Sequence, residues 1–222
     1  MKISILIPVY NEQDSVAKVI EKVLSLKLEK EVIVIDDGST DCTSEILDSI
    51  ISKEKKIRVI SQWSNRGKGA AIVNGLSKAT GDYVIIQDAD LELDPSDIIK
   101  LAQAIDRNHS VIYGSRFLEK QKVSLLSFLA NRFLTFLTNL LYRAKLTDME
   151  TCYKLCKREI LLGLELKSKG FEIEPEITCK ILKKGYRIKE IPVSYKPRRT
   201  GKKISWVDGF KAIFAILKYR IT

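Results

Sequence analysis

The feature that most constrains the fold of this chain is the exchange of two periodicities along roughly its first hundred residues. Short apolar runs, "KISILIPVY", "EVIVIDD", "IRVISQ" and "DYVIIQDAD", read as buried strands that end in polar residues. Helical spacing stands between them. "DSVAKVIEKVLSL" places Val16, Val19, Ile20, Val23 and Leu24 on one face, with Asp14 or Ser15 as the N-cap. "STDCTSEILDSIISKE" does the same with Ile46, Leu47, Ile50 and Ile51, and "GAAIVNGLSKA" and "SDIIKLAQAID" continue the series. Strands alternating with helices predict an α/β fold around a mostly parallel sheet. Such sheets bind ligands at the carboxyl ends of their strands. Asn11-Glu12, Asp36-Asp37 and Asp88–Asp90 all fall at such ends, so a single site is expected to gather them.

The second half reads differently. "VIYGSRF" is a further strand and turn, and residues 120–147 contain no acidic residue. "VSLLSFLANRFLTFLTNLLY" is apolar around most of a helix, with a thin polar strip that includes Arg132. It suits either a helix packed on the sheet or one lying at a membrane interface, and Arg132 interrupts it as a membrane span. "ISWVDGFKAIFAILKYR" has the same two readings, with Trp206, Phe210, Ile213, Phe214 and Leu217 set against Lys211, Lys218 and Arg220. The N-terminal apolar run is followed by Asn11-Glu12 without a cleavage site, and reads as a strand rather than a signal peptide.

Charge is distributed unevenly over the 222 residues. The net charge is +10, and residues 183–222, with twelve Lys/Arg against two acids, carry all of it. A neutral body with a basic end points to a local anionic surface rather than to nucleic acid, which would call for basic and aromatic residues interleaved on one face. Four cysteines without a disulfide-rich pattern predict reduced thiols in a cytoplasm. Cys152 and Cys156, with only His109 to join them, read as partly buried thiols rather than zinc ligands.

"DADLELDP" sets Asp88, Asp90, Glu92 and Asp94 at alternate positions after a buried strand. A hard divalent cation bound with a diphosphate needs one or two such carboxylates; a solvated acidic loop before a helix capped by Asp94 or Ser96 is the plain alternative. The Gly67-Lys68-Gly69 turn lacks the Gly-Lys-Ser/Thr order of a P-loop, and no Gly-x-Gly-x-x-Gly follows the first strand.

Taken together, "ILIPVYNEQDSV", "VIVIDDGSTDCT", "SNRGKGAAIVNGLSKATGDYVIIQDADLELDP" and "VIYGSRF" resemble the family 2 inverting glycosyltransferases of GT-A fold, in particular the dolichol-phosphate mannose synthase-like enzymes. The resemblance implies one GT-A domain over 1–222, with a Rossmann-like, mostly parallel sheet. Residues 1–117 would bind a nucleotide-sugar, and 118–222 would face the acceptor and a membrane through C-terminal amphipathic helices. It implies that Pro8, Tyr10, Glu12, Asp37 and Lys68 bind the donor, with Asp37 on the base, and that Asp88 lies beside nucleotide and metal. Asp90 would hold Mg²⁺ or Mn²⁺, with Glu92 a further ligand where the subgroup often has Gln. Arg116 and Arg132 would grip the acceptor phosphate and, with Asp90, form the catalytic set. Arg199, Lys202 and Lys203 of "KPRRTGKKISW" would close over the phosphates. The segment "DMETCY" keeps Asp148 but has Cys152 where the family usually has Gly, and "GFEIEPEI" supplies Glu172 and Glu174, as structural residues or facing the sugar.

The implied reaction is sugar transfer from GDP-mannose or UDP-glucose to a polyprenyl phosphate, by a protein peripheral to the cytoplasmic membrane face. The implied partners are donor, lipid phosphate and membrane surface, alone or through a membrane-embedded partner, and no nucleic acid. Transfer to a sugar hydroxyl is the alternative, for which Asp148 or Glu174 is the candidate base. A non-catalytic nucleotide-sugar-binding protein is a further one.

Overall fold

The computed structural model describes residues 1–54, 56–119, 125–198 and 206–221. Its elements run β1 (Ile3–Val9), α1 (Val16–Ser25), β2 (Lys30–Asp36), α2 (Thr43–Ile51), β3 (Ile57–Ser61), α3 (Lys68–Lys78), β4 (Tyr83–Ile86), α4 (Asp97–Gln103) and β5 (Val111–Ser115). There follow α5 (Leu125–Tyr142), β6 (Lys154–Lys157), α6 (Arg158–Leu162), α7 (Ile173–Lys183), β7 (Ile188–Pro192) and α8 (Trp206–Ile221).

Among the described residues the sheet order is β3-β2-β1-β4-β6-β5-β7. Every pairing is parallel except those of β6, which runs antiparallel to both β4 and β5. The chain winds outward from β1 to β3, then returns to place β4 on the other side of β1. That reversal makes the carboxyl ends of β1 and β4 a topological switch point, where α/β sheets bind ligands.

Strand alternation divides the core. Ile3, Ile5, Ile7 and Val9 of β1, with Val32 and Val34 of β2, pack against α1, α2 and α4 on one face. Leu6, Ile33 and Ile35 face the other way, toward α3, α6 and α7. Helices thus cover both faces, as a near-continuously apolar parallel sheet requires.

A third cluster lies beyond the β7 edge of the sheet, formed by Leu134, Met149, Cys179, Ala212, Ala215 and Ile216 of α5, α7, α8 and the segment before β6, with Ile188 of β7 against it. The helix predicted around residues 125–142 therefore packs on α8 and α7 rather than on the sheet. Its buried residues are Leu134, Thr135 and Thr138, while Leu125, Leu126, Leu129, Phe133, Phe136 and Leu140 are exposed. At 18 residues and mean hydropathy 1.2, α5 has the length and composition of a membrane span despite Arg132, contrary to the expectation from sequence.

All four cysteines are free thiols. Cys152 and Cys156 belong to the cores on opposite faces of the sheet, and His109 pairs with Asp106 at 2.9 Å, so the three do not form a metal site.

Candidate functional site

The loops after β1 and β2 are tied together by short polar side chains. Asn11, at φ +49°, accepts the Thr40 N–H at 2.8 Å on Oδ1 and donates its own N–H to Ser39 Oγ at 3.0 Å. The Glu12 N–H reaches Thr43 Oγ1 at 2.9 Å. Asp36 takes the Ser39 N–H (3.0 Å) and hydroxyl (2.6 Å) on one oxygen and the Ser44 hydroxyl (2.6 Å) on the other. Pro8 and Tyr10 sit half-buried on the same chain exit.

Asp37, expected on the nucleotide base, is buried and holds the following loop. Its Oδ1 accepts Gln62 Nε2 (3.1 Å) and the Arg66 N–H (2.8 Å), and its Oδ2 accepts the Gly67 N–H (2.8 Å). A base contact would share an oxygen already used by the turn. A Cβ at Gly69 would stand 2.3 Å from the Ser168 carbonyl oxygen, so the 67–69 turn rests directly on backbone 168–170. That seating aims Lys68 into the switch point.

Lys68 Nζ lies 2.7 Å from Asp88 Oδ1 and 3.0 Å from Glu174 Oε1. Glu174, in the first turn of α7, has its other oxygen 2.5 Å from Lys154 Nζ, and Lys154 also donates to the Thr151 carbonyl. Burial alone would lower the Lys68 pKa, but the charges of Asp88 and Glu174 outweigh it and hold the ammonium well above its usual range. The Cys152 thiol lies against Asp88 and is pushed well up by burial and by that carboxylate, so Cys152 stays a thiol.

Asp90 follows at 18% side-chain exposure. Burial, then the neighbouring charge of Asp88, pushes its carboxyl above the usual range. Its Oδ2 lies 3.0 Å from Arg198 Nη2, and the same nitrogen is 2.8 Å from Glu12 Oε1. Leu91, at φ +60°, turns the chain between Asp90 and Glu92, and the Glu92 N–H returns to Asp90 Oδ1 at 3.0 Å. Glu92 accepts the Arg198 N–H at 2.7 Å and the Tyr195 hydroxyl at 3.0 Å. Asp88, Asp90 and Glu92 thus have different partners, and among the described residues no three His, Cys, Asp or Glu side chains gather around one point.

On the side expected to face the acceptor, Arg116 leaves β5 and forms a fork to buried Asp148, Nε to Oδ2 at 2.7 Å and Nη2 to Oδ1 at 2.8 Å. Its guanidinium also stacks on Phe117 and Tyr195, 5.5 and 5.4 Å from the ring centroids. From α5 it meets Asn131, whose Oδ1 is 3.4 Å away; Arg132, one position on, is exposed. Arg199, Lys202 and Lys203 lie outside the described residues.

Three participants escape a reading of the sequence. Tyr195 links the two halves, its ring on Arg116 and its hydroxyl on Glu92. Arg198 sits among the donor-side carboxylates. Glu150 has its Oε1 sealed from solvent without a hydrogen-bond partner, and burial pushes its carboxyl up to about 7. Glu172, expected either to be structural or to face the sugar, accepts the Gly170 N–H at 3.0 Å.

Carboxylates and lysines at the switch point, facing an arginine fork across β4, β6 and β5, lie on the frame of a GT-A glycosyltransferase. The same fold is found in glucosyl-3-phosphoglycerate synthase from Mycobacterium tuberculosis, solved with UDP, at TM-score 0.77 and 20% identity over 99% of this chain and 80% of that one. The chain belongs to glycosyl transferase family 2, whose model matches residues 4–163. It is 29% identical over 226 residues to the dolichol-phosphate mannosyltransferase of Pyrococcus furiosus, covering 99% of this chain but only 62% of that protein's length. It is 26% identical over 232 residues to the polyprenol monophosphomannose synthase of Mycolicibacterium smegmatis, covering 98% and 86%.

Proposed function

We propose that this glycosyltransferase moves a hexose, from GDP-mannose or UDP-glucose, onto a polyprenyl phosphate at the cytoplasmic membrane face, inverting the anomeric centre. The observation that carries this reading is the state of the two carboxylates expected to act as base. Asp148 is committed to Arg116, and Glu174 lies between two lysines. An acceptor hydroxyl would need a proton removed. A lipid phosphate is already ionised, so it needs only to be held; Asp148 takes one bidentate edge of Arg116, and the remaining guanidinium N–H groups, with Arg132, are what would hold it. The names of the two relatives point the same way.

In this reading Lys68 meets the donor phosphates, Glu12, Pro8 and Tyr10 line the nucleoside, and Asp37 orders the loop beside it. Arg116, with Arg132, draws in the acceptor phosphate. A phosphate oxygen attacks the anomeric carbon as its bond to the nucleoside diphosphate breaks, and the electron pair leaves with the diphosphate. Positioning supplies most of the acceleration.

A divalent cation fits the donor set. Asp90 is a partly desolvated carboxyl raised by its neighbour Asp88, a repulsion that a dication relieves, and one or two protein carboxylates suffice when phosphate oxygens complete the shell. Bound there, Mg²⁺ or Mn²⁺ would neutralise charge on the departing diphosphate. The Mycobacterium tuberculosis synthase has been solved with either ion and UDP.

The test is a transfer assay with Mn²⁺ or Mg²⁺, a short polyprenyl phosphate, and GDP-mannose, UDP-glucose or UDP-N-acetylglucosamine, with the lipid extract read by mass spectrometry. A lipid-phosphate sugar is expected, lost with EDTA and in Asp90→Ala. Wild-type turnover in Asp90→Ala would remove the metal assignment. A second reading, transfer to a sugar hydroxyl, is favoured by one feature, Glu150, a buried carboxyl near neutrality beside Arg116 and Lys154. Product on a hydroxyl acceptor, absent in Glu150→Gln, would select it.

A further inference from the structure

Arg198 is a cation among carboxylates that the donor side would otherwise offer to a metal. Its Nη2 stands 2.8 Å from Glu12 Oε1 and 3.0 Å from Asp90 Oδ2, and both acids are largely shielded, at 11% and 18% side-chain exposure. Glu12, Asp88, Asp90 and Glu92 bring four negative charges to the ends of β1 and β4. Lys68 lies on Asp88, so the partner of Asp90 is Arg198. The arginine does not arrive there alone. Its backbone N–H is bound to Glu92 Oε1 (2.7 Å), the Tyr195 hydroxyl to Glu92 Oε2 (3.0 Å) and the Lys196 N–H to the Glu92 carbonyl (2.7 Å). Leu93 and Tyr195 add an antiparallel bridge. Residues 195–198 are thus laid along the acidic loop as an extra strand-like segment whose end places a guanidinium on Asp90.

A divalent cation coordinated by a carboxylate sits about 2.0–2.2 Å from its oxygen, well inside the separation of Arg198 and Asp90. Two positive groups on one carboxylate oxygen repel, and a guanidinium cannot be deprotonated to escape. We propose that Arg198 is a positioning residue of the donor site: it keeps Glu12 and Asp90 ordered as their counter-ion and exchanges that place with the divalent cation. The inference rests on Asp90 as a metal ligand. It adds that cation loading has an internal competitor, and that the competitor is tied, through Tyr195, to the arginine proposed for the acceptor phosphate.

The test is Mn²⁺ binding to metal-free protein without nucleotide, at low ionic strength, read by the loss of the free-ion electron paramagnetic resonance signal. Arg198→Gln is expected to bind Mn²⁺ roughly three- to fivefold more tightly than wild type, the upper part of the range for releasing a partly exposed ion pair. Arg198→Lys, which keeps the charge, is expected to stay within about twofold of wild type. Adding Asp90→Asn to either background should remove the binding. Unchanged or weaker Mn²⁺ affinity in Arg198→Gln, with the Asp90→Asn loss intact, would overturn the exchange while leaving the metal reading standing. Binding indifferent to Asp90→Asn, or absent from wild type and Arg198→Gln alike, would overturn both. Circular dichroism of each variant separates these outcomes from unfolding.

Discussion

Asp148 and Glu150 lie two positions apart and their carboxylates have opposite fates. Asp148 is fully buried but takes two hydrogen bonds from the guanidinium and one from the backbone of Arg116. Removing it would leave that guanidinium unpaired, so Asp148→Ala is expected to cost about 3–5 kcal/mol in urea unfolding. Glu150 lacks such a partner at Oε1, and burial pushes it from an ordinary 4.5 up to about 7. Below pH 4.5 both folded and unfolded chains hold the proton and nothing is gained or lost. Between there and about 7 the unfolded chain releases a proton that the folded one keeps, so stability falls as pH rises and is then level. Glu150 keeps only partial contact with solvent, and the loss is taken as about 1–2 kcal/mol in all. Glu150→Gln should abolish it. Unfolding at pH 5, 6, 7 and 8 checks this, and equal pH slopes for the two proteins would count against the buried carboxyl. The resemblance placed Arg116 and Asp148 because each follows a recognisable strand or segment. Tyr195 and Arg198 reach Glu92 and Glu12 across 103 and 186 residues, and no local pattern encodes contacts of that span.

At the scale of elements, the sequence was most legible where periodicity and burial coincide. The strands β1 to β4 and helices α1 to α4 lie where the apolar runs and helical faces put them. The short β6 is four residues long, and its antiparallel pairing with both β4 and β5 is what joins the strand leading to Asp88 and Asp90 to the one leading to Arg116. Four residues carry too little pattern to announce that. The turns depend on glycine in a way that can be measured. Gly38 is at φ +70° and a Cβ there would fall 2.6 Å from the Ser64 carbonyl carbon, while Gly185, at φ +78°, has nothing within 4 Å. Gly185→Ala should cost about 1 kcal/mol for the backbone alone. Gly38→Ala should cost about 2–3 kcal/mol, since main chain must also move, and should weaken donor binding because Asp37 anchors the same loop. Similar losses for both in urea unfolding would mean that the close approach at Gly38 carries no energy.

At the scale of the whole molecule, charge and apolar surface are segregated together. Residues 183–222 carry the full net charge of +10. Phe133, Phe136 and Leu140 of α5 and Phe210, Phe214 and Leu217 of α8 are exposed on two helices that pack against each other. Large exposed apolar surface next to basic side chains suits a membrane interface, where rings enter the acyl boundary and lysines meet anionic headgroups. The two contributions respond differently to salt, because screening weakens headgroup attraction over about 8 Å at physiological ionic strength and leaves apolar burial intact. Flotation with vesicles containing anionic lipid should therefore show binding that falls with salt to a plateau above zero. Phe136→Ser with Phe214→Ser should remove the plateau and keep the salt-dependent part. If the double variant floats as wild type does at high salt, the exposed rings of α5 and α8 do not enter the bilayer. Under the proposed reaction, a lipid phosphate would then have to reach Arg116 by another face.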